Sequence, residues 1–216
     1  MNSRDFVKEL KDFTTKVYGI KYDQETVLIG VRGISIENDK VTLNDDSFDH
    51  FNDILFNIEA GGVVFDYRVV TLDPGKVSDR VLKDYGVTKG EARAEPGISR
   101  VALGDHRGHV ALVQVSDIVV RRDANEDHIW DERDETYKGE FGIDVHAQST
   151  DKDTVGVSSL GCTVTRATWT EPDWLNFIGA MLRADLEARK LNLNFKGFIR
   201  AIHDQAVAKL ILGVSK

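Results

Sequence analysis

Short strand-like runs separated by turns fill the middle of this chain, and they constrain its fold more than any other feature. Runs rich in β-branched residues occupy 26–36, 62–72, 99–104, 108–115, 117–122, 140–147 and 154–166. Closely spaced short strands divided by Gly- and Pro-containing turns are typical of a β-sandwich or barrel. We therefore predict an α+β fold, with a mostly β core in the form of a sandwich or barrel and with flanking N- and C-terminal helices.

Helical periodicity marks the two ends of the chain and one internal segment. Apolar residues recur at helical spacing over 4–18, 45–58, 172–190 and 198–212. Each of these stripes predicts an amphipathic helix. The intervening segments 76–96 and 123–139 are expected to be an irregular excursion and a polar loop. We predict a single domain over residues 1–216, with a core of about 26–180 and a C-terminal helical extension of about 172–216.

Composition excludes several classes of function. The formal net charge is −8, which disfavours nucleic acid as a partner because phosphate binding needs a basic surface. No apolar run approaches the roughly 20 residues that span a bilayer, so we expect no stable membrane insertion. The N-terminus has no signal-peptide pattern, which predicts synthesis in the cytoplasm. The sequence does not predict an oligomeric state.

The only cysteine, Cys162, follows a cluster of small residues, and His146 lies sixteen positions before it. A thiolate attacks carbonyl carbons, and a neighbouring imidazole can accept the thiol proton. Two adjacent strands would bring the two side chains together, with the base within about 3 Å of the sulfur. A lone cysteine is also commonly a buried, unreactive side chain, so the spacing alone leaves both interpretations open.

The pattern formed by His146 and Ser159-Leu160-Gly161-Cys162 resembles the active-site signature of the L,D-transpeptidase catalytic domain family. That signature is a histidine, a gap of fewer than twenty residues, and Ser-x-Gly-Cys. Over roughly residues 26–180 the chain also resembles uncharacterised phage and bacterial relatives of these enzymes. The shared landmarks include "TLDPG" (71–75), "HRGHVALVQ" (106–114) and "GEFGIDVHA" (139–147).

This resemblance implies a mostly β catalytic domain that acts on peptidoglycan. Cys162 would attack a stem-peptide amide bond and form a thioester acyl-enzyme, with His146 as the base. Gly161, Ser158 and Ser159 would frame the oxyanion and substrate site, and His106 would line it. The family usually carries a second histidine at the position of Leu160 and an arginine at that of Val164. Arg166 is the expected substitute for that arginine.

The predicted function is therefore that of a cysteine peptidase or transpeptidase, most consistent with a phage-type cell-wall hydrolase (endolysin) that acts at the cell wall after cytoplasmic synthesis. Water or an amine would resolve the acyl-enzyme, and the sequence does not choose between them. One alternative is a non-catalytic wall-binding or virion structural module that keeps the fold. Another is a cytoplasmic cysteine hydrolase with an unrelated amide substrate.

We expect no cofactor and no metal, although the sequence contains two alternative patterns of possible metal ligands. Asp105, His106 and His109, with Asp144 and His146, suggest a zinc peptidase, but their gaps match no zinc motif. The acids of residues 123–134 are similar to a calcium loop, but His128 replaces the glycine that such a loop requires. A solvated acidic loop is the preferred interpretation of that segment. Trp169 is expected in the core or as a wall of the site.

Overall fold

A closed barrel of eight strands forms the core of the computed structural model, which describes residues 1–214. The barrel order is β1-β13-β7-β8-β11-β12-β5-β4. The strands are β1 (Val27–Val31), β2 (Ile34–Glu37), β3 (Lys40–Leu43), β4 (Asp53–Ile58), β5 (Phe65–Thr71), β6 (Ala92–Ala94), β7 (Gly97–His106), β8 (His109–Gln114), β9 (Ile118–Arg122), β10 (Thr136–Gly139), β11 (Val145–Gln148), β12 (Thr163–Thr168) and β13 (Phe198–His203). The helices are α1 (Ser3–Tyr18), α2 (Asp79–Asp84), α3 (Pro172–Leu191) and α4 (Gln205–Leu212), with a 3-10 turn at Gly156–Ser158.

The barrel is mixed in strand direction. Strand β1 runs parallel to β13, and β11 runs parallel to β12, whereas the other barrel neighbours are antiparallel. Two small sheets lie outside the barrel, with the orders β10-β9-β6 and β2-β3. The barrel strands are therefore drawn from segments spread over residues 27 to 203.

Alternate residues of the barrel strands pack into two separate hydrophobic clusters. Leu28 and Leu55 belong to one cluster, which also contains Trp174 and Phe177 of α3. Their strand neighbours Ile29 and Phe56 belong to the other, which contains Phe6 and Leu10 of α1. Because successive side chains of a strand point to opposite faces, β1 and β4 are covered on both faces.

A buried arginine fixes the turn that supports the candidate site. Arg32 is fully buried and donates to the carboxylates of Asp73 at 2.7 Å and Asp204 at 2.8 Å. Asp73 begins the Asp-Pro-Gly turn, and the amide of Gly75 donates to the carbonyl of Ser159 at 2.8 Å. A Cβ at Gly75 would lie 2.2 Å from the carbonyl oxygen of Gly156, so glycine is required for this contact.

The predicted α+β class, with a largely β core and helices at both ends, is confirmed, and the core is a barrel. The predicted helix over 45–58 is wrong, because Asp53–Ile58 is the barrel strand β4, between β1 and β5. All six of its residues are buried, so the strand lacks the apolar–polar alternation that identifies a half-exposed strand. Phe48, Phe51 and Ile54 are three residues apart, which is a helical spacing, although the segment is not helical.

The predicted helix over 198–212 is wrong in its first half. Phe198–His203 is strand β13, which lies between β1 and β7, and only Gln205–Leu212 is helical. The predicted core boundary near residue 180 and the predicted C-terminal helical extension were therefore misplaced, because the barrel needs β13 to close. Residues 215–216 of that predicted extension lie outside the described residues.

Several smaller predictions were also corrected. The predicted strand 26–36 is divided by a turn at Gly33, and the predicted strand 140–147 begins only at Val145. The predicted strand 154–166 begins only at Thr163, since a 3-10 turn and the cysteine turn precede it. The excursion 76–96 contains α2 and β6, and the predicted loop 123–139 ends in β10. No helix within residues 1–214 is long and apolar enough to cross a membrane.

Candidate active site

Two parallel neighbouring strands bring the cysteine and the histidine to one cavity. In the pairing of β11 with β12, Val145 lies beside Thr163 and His146 beside Val164. His146 and its partner Val164 point to the same face of the sheet. Cys162 is two residues before Val164, so its side chain points to that face as well. Cys162 and His146 both line a cavity of about 330 Å³. The predicted juxtaposition on adjacent strands therefore agrees with the structure.

The turn before the cysteine is held by its own side chains. The hydroxyl of Ser159 donates to the carbonyl of Cys162 at 2.8 Å and accepts from the amide of Gly161 at 3.1 Å. Gly161 has φ +141°, and a Cβ there would lie 2.5 Å from the carbonyl oxygen of Ala92. Ser159 and Gly161 therefore shape the turn rather than line the cavity, whereas Ser158 does line it.

The backbone amide of Cys162 is a free donor beside its own sulfur. Within residues 1–214 this amide makes no hydrogen bond, whereas the Gly161 amide is already bonded to Ser159. An oxyanion formed on an acylated Cys162 needs N–H donors at 2.7–3.1 Å. The Gly161 amide is thus already taken, whereas the Cys162 amide has no partner among residues 1–214.

The thiol of Cys162 is neutral in this arrangement. Its Sγ donates to the carbonyl oxygen of Gly142 at 3.3 Å. Burial raises the pKa of the thiol to about 11, and the backbone amide of Asp144 and, to a lesser extent, the positive charge of Arg200 offset this only in part. Arg200 is itself fully buried and donates to the carbonyl of Ile143 at 2.8 Å.

His146 is also neutral and is held in one orientation. Its Nδ1 lies 2.8 Å from the carbonyl oxygen of Ala147, so Nδ1 carries the proton and Nε2 carries the free lone pair. Its ring stacks on that of His106, with centroids 4.1 Å apart. Burial lowers the pKa of His146 to about 4, and the charge of His106 acts in the same direction. The carbonyl of Ala147 thus orients the base, a partner that the sequence did not reveal.

The expected contact of about 3 Å between sulfur and imidazole is absent. Throughout the described chain, no hydrogen bond joins Cys162 to His146, and the thiol is bonded to Gly142 instead. The two groups share one cavity as a neutral acid and a neutral base. Catalytic hydrogen bonds in ligand-free structures are often long and tighten when substrate binds.

Asp144 and His106 form a second polar pair behind the base. Asp144 accepts from Nδ1 of His106 at 2.8 Å and from the amide of Gln114 at 2.8 Å. Burial raises the pKa of Asp144, but these hydrogen bonds outweigh it and bring the pKa below its usual value. The prediction that His106 lines the site agrees with its position in the cavity wall. Asp144 was missed as a supporting residue, although it lies two positions before His146 on the same strand face.

The cavity has an aromatic side and a cationic side. Trp169 stacks on His109 with ring centroids 4.2 Å apart, and its ring centroid lies 5.9 Å from that of His146. Arg107 and Arg122 line the cavity, whereas no Asp or Glu of residues 1–214 does. The site is therefore suited to a ligand with a carboxylate group. Neither arginine was singled out from the sequence.

Arg166 does not take the place predicted for it. Its side chain is about half exposed and pairs with Asp153 at 2.6 Å, and it does not line the cavity. The irregular register of β12 after Thr165 explains the difference, because the pairing with β11 shifts between Ala147 and Gln148. The buried cation that acts on Cys162 is Arg200 of β13, which sequence reasoning had placed in a helix.

Neither the zinc pattern nor the calcium-loop pattern has the ligand geometry that its metal requires. His106 stacks on His146 and His109 on Trp169, and these histidines do not converge with Asp105 and Asp144 on one point. In the acidic loop, Asp127 and Asp131 pair with Arg133. Asp123 is fully buried, so the interpretation of 123–134 as a wholly solvated loop is also incomplete.

Comparisons with protein-family models, with curated proteins and with solved structures find no match for this chain.

Proposed function

We propose that this protein is a cysteine-dependent peptidoglycan peptidase or transpeptidase of the L,D-transpeptidase type, acting as a phage-type cell-wall hydrolase. The observation that carries the proposal is the shared cavity of Cys162 and His146, supplied by adjacent parallel strands. A nucleophile, an oriented base and a free amide donor at one cavity are the elements that acyl transfer requires.

The mechanism uses each group in the protonation state that the site favours. Nε2 of His146 accepts the thiol proton as the Cys162 sulfur attacks the substrate carbonyl, and the Cys162 amide donates to the developing oxyanion. The imidazolium then protonates the leaving amine, which leaves a thioester. Water or an acceptor amine resolves this thioester after His146 removes its proton. Transfer concerted with attack avoids a free thiolate, which the raised pKa of the thiol disfavours.

The cavity lining supports a peptide substrate with a free carboxylate. Arg107 and Arg122 supply positive charge without a competing acid among the described lining residues. Peptidoglycan stem peptides carry such carboxylates. Trp169 and His109 offer a flat aromatic surface on which a sugar or peptide plane can pack.

A second candidate is a non-catalytic wall-binding or virion module. The high pKa of Cys162 and its hydrogen bond to Gly142 favour this alternative, because a binding module needs no reactive thiolate. Both candidates would use the same cavity, but only the peptidase or transpeptidase would convert a substrate.

Digestion of purified peptidoglycan, followed by mass analysis of the released fragments, separates these candidates. We expect the full chain to cut or exchange stem-peptide bonds. Cys162→Ala should reduce turnover by at least about 10³-fold, in the range seen when a nucleophile is removed. Fragment masses distinguish hydrolysis, which adds water, from transpeptidation, which adds an amine. Binding without turnover by the wild-type chain, or turnover retained in Cys162→Ala, would contradict the proposal.

A further inference from the structure

Three ligand-type side chains meet outside the cysteine cavity. One oxygen of Glu91, one of Asp123 and one ring nitrogen of His128 lie within 4.8 Å of one another. This is the only group of three or more such atoms at that spacing in residues 1–214. Glu91 and Asp123 flank the sheet formed by β6 and β9, and His128 lies in the loop that follows β9.

Two atoms of this cluster are buried without a hydrogen-bond partner. Glu91 is 1% exposed, and its Oε2 has no partner in the described chain. Nδ1 of His128 is likewise buried and unpartnered, and it lies 3.5 Å from Oδ2 of Asp123 without a hydrogen bond. A buried carboxylate oxygen left unpaired costs free energy, so a missing partner would explain the arrangement.

The two acids of the cluster, Glu91 and Asp123, are both buried. Asp123 is fully buried and accepts only from the amides of Asp127, at 3.1 Å, and His128, at 2.8 Å. No Lys or Arg side chain of residues 1–214 pairs with Glu91 or Asp123. Two adjoining carboxylates in a low-dielectric site favour a bound divalent cation.

The backbone holds the three groups in place before any ion binds. The Asp123 amide donates to the carbonyl of Glu91 at 3.2 Å, and the ring of His128 stacks on Phe48 with centroids 4.8 Å apart. His128 has φ +58°, in the left-handed region.

We propose that Glu91, Asp123 and His128 bind a divalent transition-metal ion, with Zn²⁺ as the expected occupant. One imidazole nitrogen and two carboxylates suit zinc, whereas calcium prefers oxygen ligands alone. Tetrahedral ligands at zinc lie about 3.3 Å apart, so small side-chain movements would close the cluster on the ion. A fourth position is left for water.

The ion would stabilise the wall of the cysteine cavity. Ala92 follows Glu91, and its amide donates to the carbonyl of Leu160 at 3.2 Å, within the turn that presents Cys162. Arg122 precedes Asp123, lines the cavity and donates to the carbonyl of Gly90 at 3.1 Å. A metal at this point therefore links β6 and β9 to the cysteine turn without touching the thiol.

Zinc titration of the chelator-treated full chain, by competition with a chromophoric chelator and by thermal melting, tests the proposal. We expect one Zn²⁺ per chain and a rise in melting temperature that Ca²⁺ does not reproduce. Glu91→Gln and His128→Gln should each weaken binding by at least about 100-fold, since each removes a ligand. Glu132→Gln, which removes an exposed acid of the same loop, should bind zinc normally.

Two further measurements keep the result unambiguous. Glu91→Gln should not destabilise the metal-free protein, because Oε2 of Glu91 has no hydrogen-bond partner to lose, so lost binding would not reflect unfolding. Cys162→Ala should retain zinc binding, which makes this test independent of the proposed peptidoglycan activity. Zinc binding that is lost in Cys162→Ala but kept in Glu91→Gln, or no zinc binding at all, would overturn the proposal.

Discussion

At the scale of single residues, the site holds a thiol and an imidazole that are both neutral. Burial raises the pKa of Cys162 to about 11 and lowers that of His146 to about 4. Each shift disfavours the charged form, as expected for groups removed from water. A resting thiolate–imidazolium pair is therefore unfavourable here, and proton transfer is expected to occur together with attack on the substrate.

The pH dependence of thiol alkylation tests this conclusion. Because only the thiolate reacts, the rate constant for iodoacetamide should rise about tenfold per pH unit between pH 7 and 10, without a plateau. His146→Gln should leave this profile unchanged, since His146 does not set the pKa of the thiol. Cys162→Ala is the control for labelling at other sites.

An alkylation rate that is already high and constant near pH 6, and that falls in His146→Gln, would contradict the neutral pair. That outcome would show that His146 withdraws the thiol proton before substrate binds. The profile therefore distinguishes an ion pair formed in advance from proton transfer coupled to attack.

At the scale of elements, β13 determines whether the barrel closes. It pairs with β1 on one side and β7 on the other. Phe198 and Ile202 are almost fully buried in the cluster shared with α3. Burying each such side chain contributes about 1.5–3 kcal/mol, which together is a large share of a typical domain stability of about 5–15 kcal/mol.

Truncation tests the importance of β13. A chain ending at Asn194 lacks this strand and should lose cooperative unfolding in urea, as followed by circular dichroism. A chain ending at Gly213 keeps β13, α4 and its C-terminal glycine cap, and should unfold cooperatively with a nearly unchanged midpoint. Cooperative unfolding of the shorter chain would show that the barrel closes without β13 and would contradict this account.

The sequence predicted some strands near their observed bounds and missed others. Strand β5 was predicted at 62–72 from its β-branched and aromatic residues, close to the observed Phe65–Thr71. Strand β10 was predicted as part of a loop because its residues are mostly polar. Strands β4 and β13 were predicted as helices, because burial on both faces removes the period-2 signal of a half-exposed strand. Their identity depends on burial by α1 and α3, which is a property of the tertiary structure.

The same limit applies to the site. The shared location of Cys162 and His146 was predicted because the two follow a short sequence motif. Arg107 and Arg122 were not singled out, because they reach the cavity from a turn and from another strand and have no fixed spacing from Cys162. The Ala147 carbonyl has no side-chain signature at all, so only coordinates identify it as the group that orients His146.

At the scale of the whole molecule, barrel closure assembles the cavity from distant segments. Its lining residues come from the regions 85–92, 106–109, 122, 141–149 and 157–169. Strand β13, from the far end of the chain, adds the buried charge of Arg200 beneath the cysteine. Cys162, His146 and the arginines of the cavity lining therefore depend on one closed fold.

Whole-protein mass spectrometry after mixing the full chain with purified stem peptides tests the central claim most directly. We predict a covalent adduct with the mass of the acyl fragment, attached through a thioester to Cys162 and released by hydroxylamine. The adduct should be absent in Cys162→Ala and should form more slowly in His146→Gln. Turnover of the stem peptides without any adduct on Cys162, or an adduct that persists in Cys162→Ala, would contradict this account.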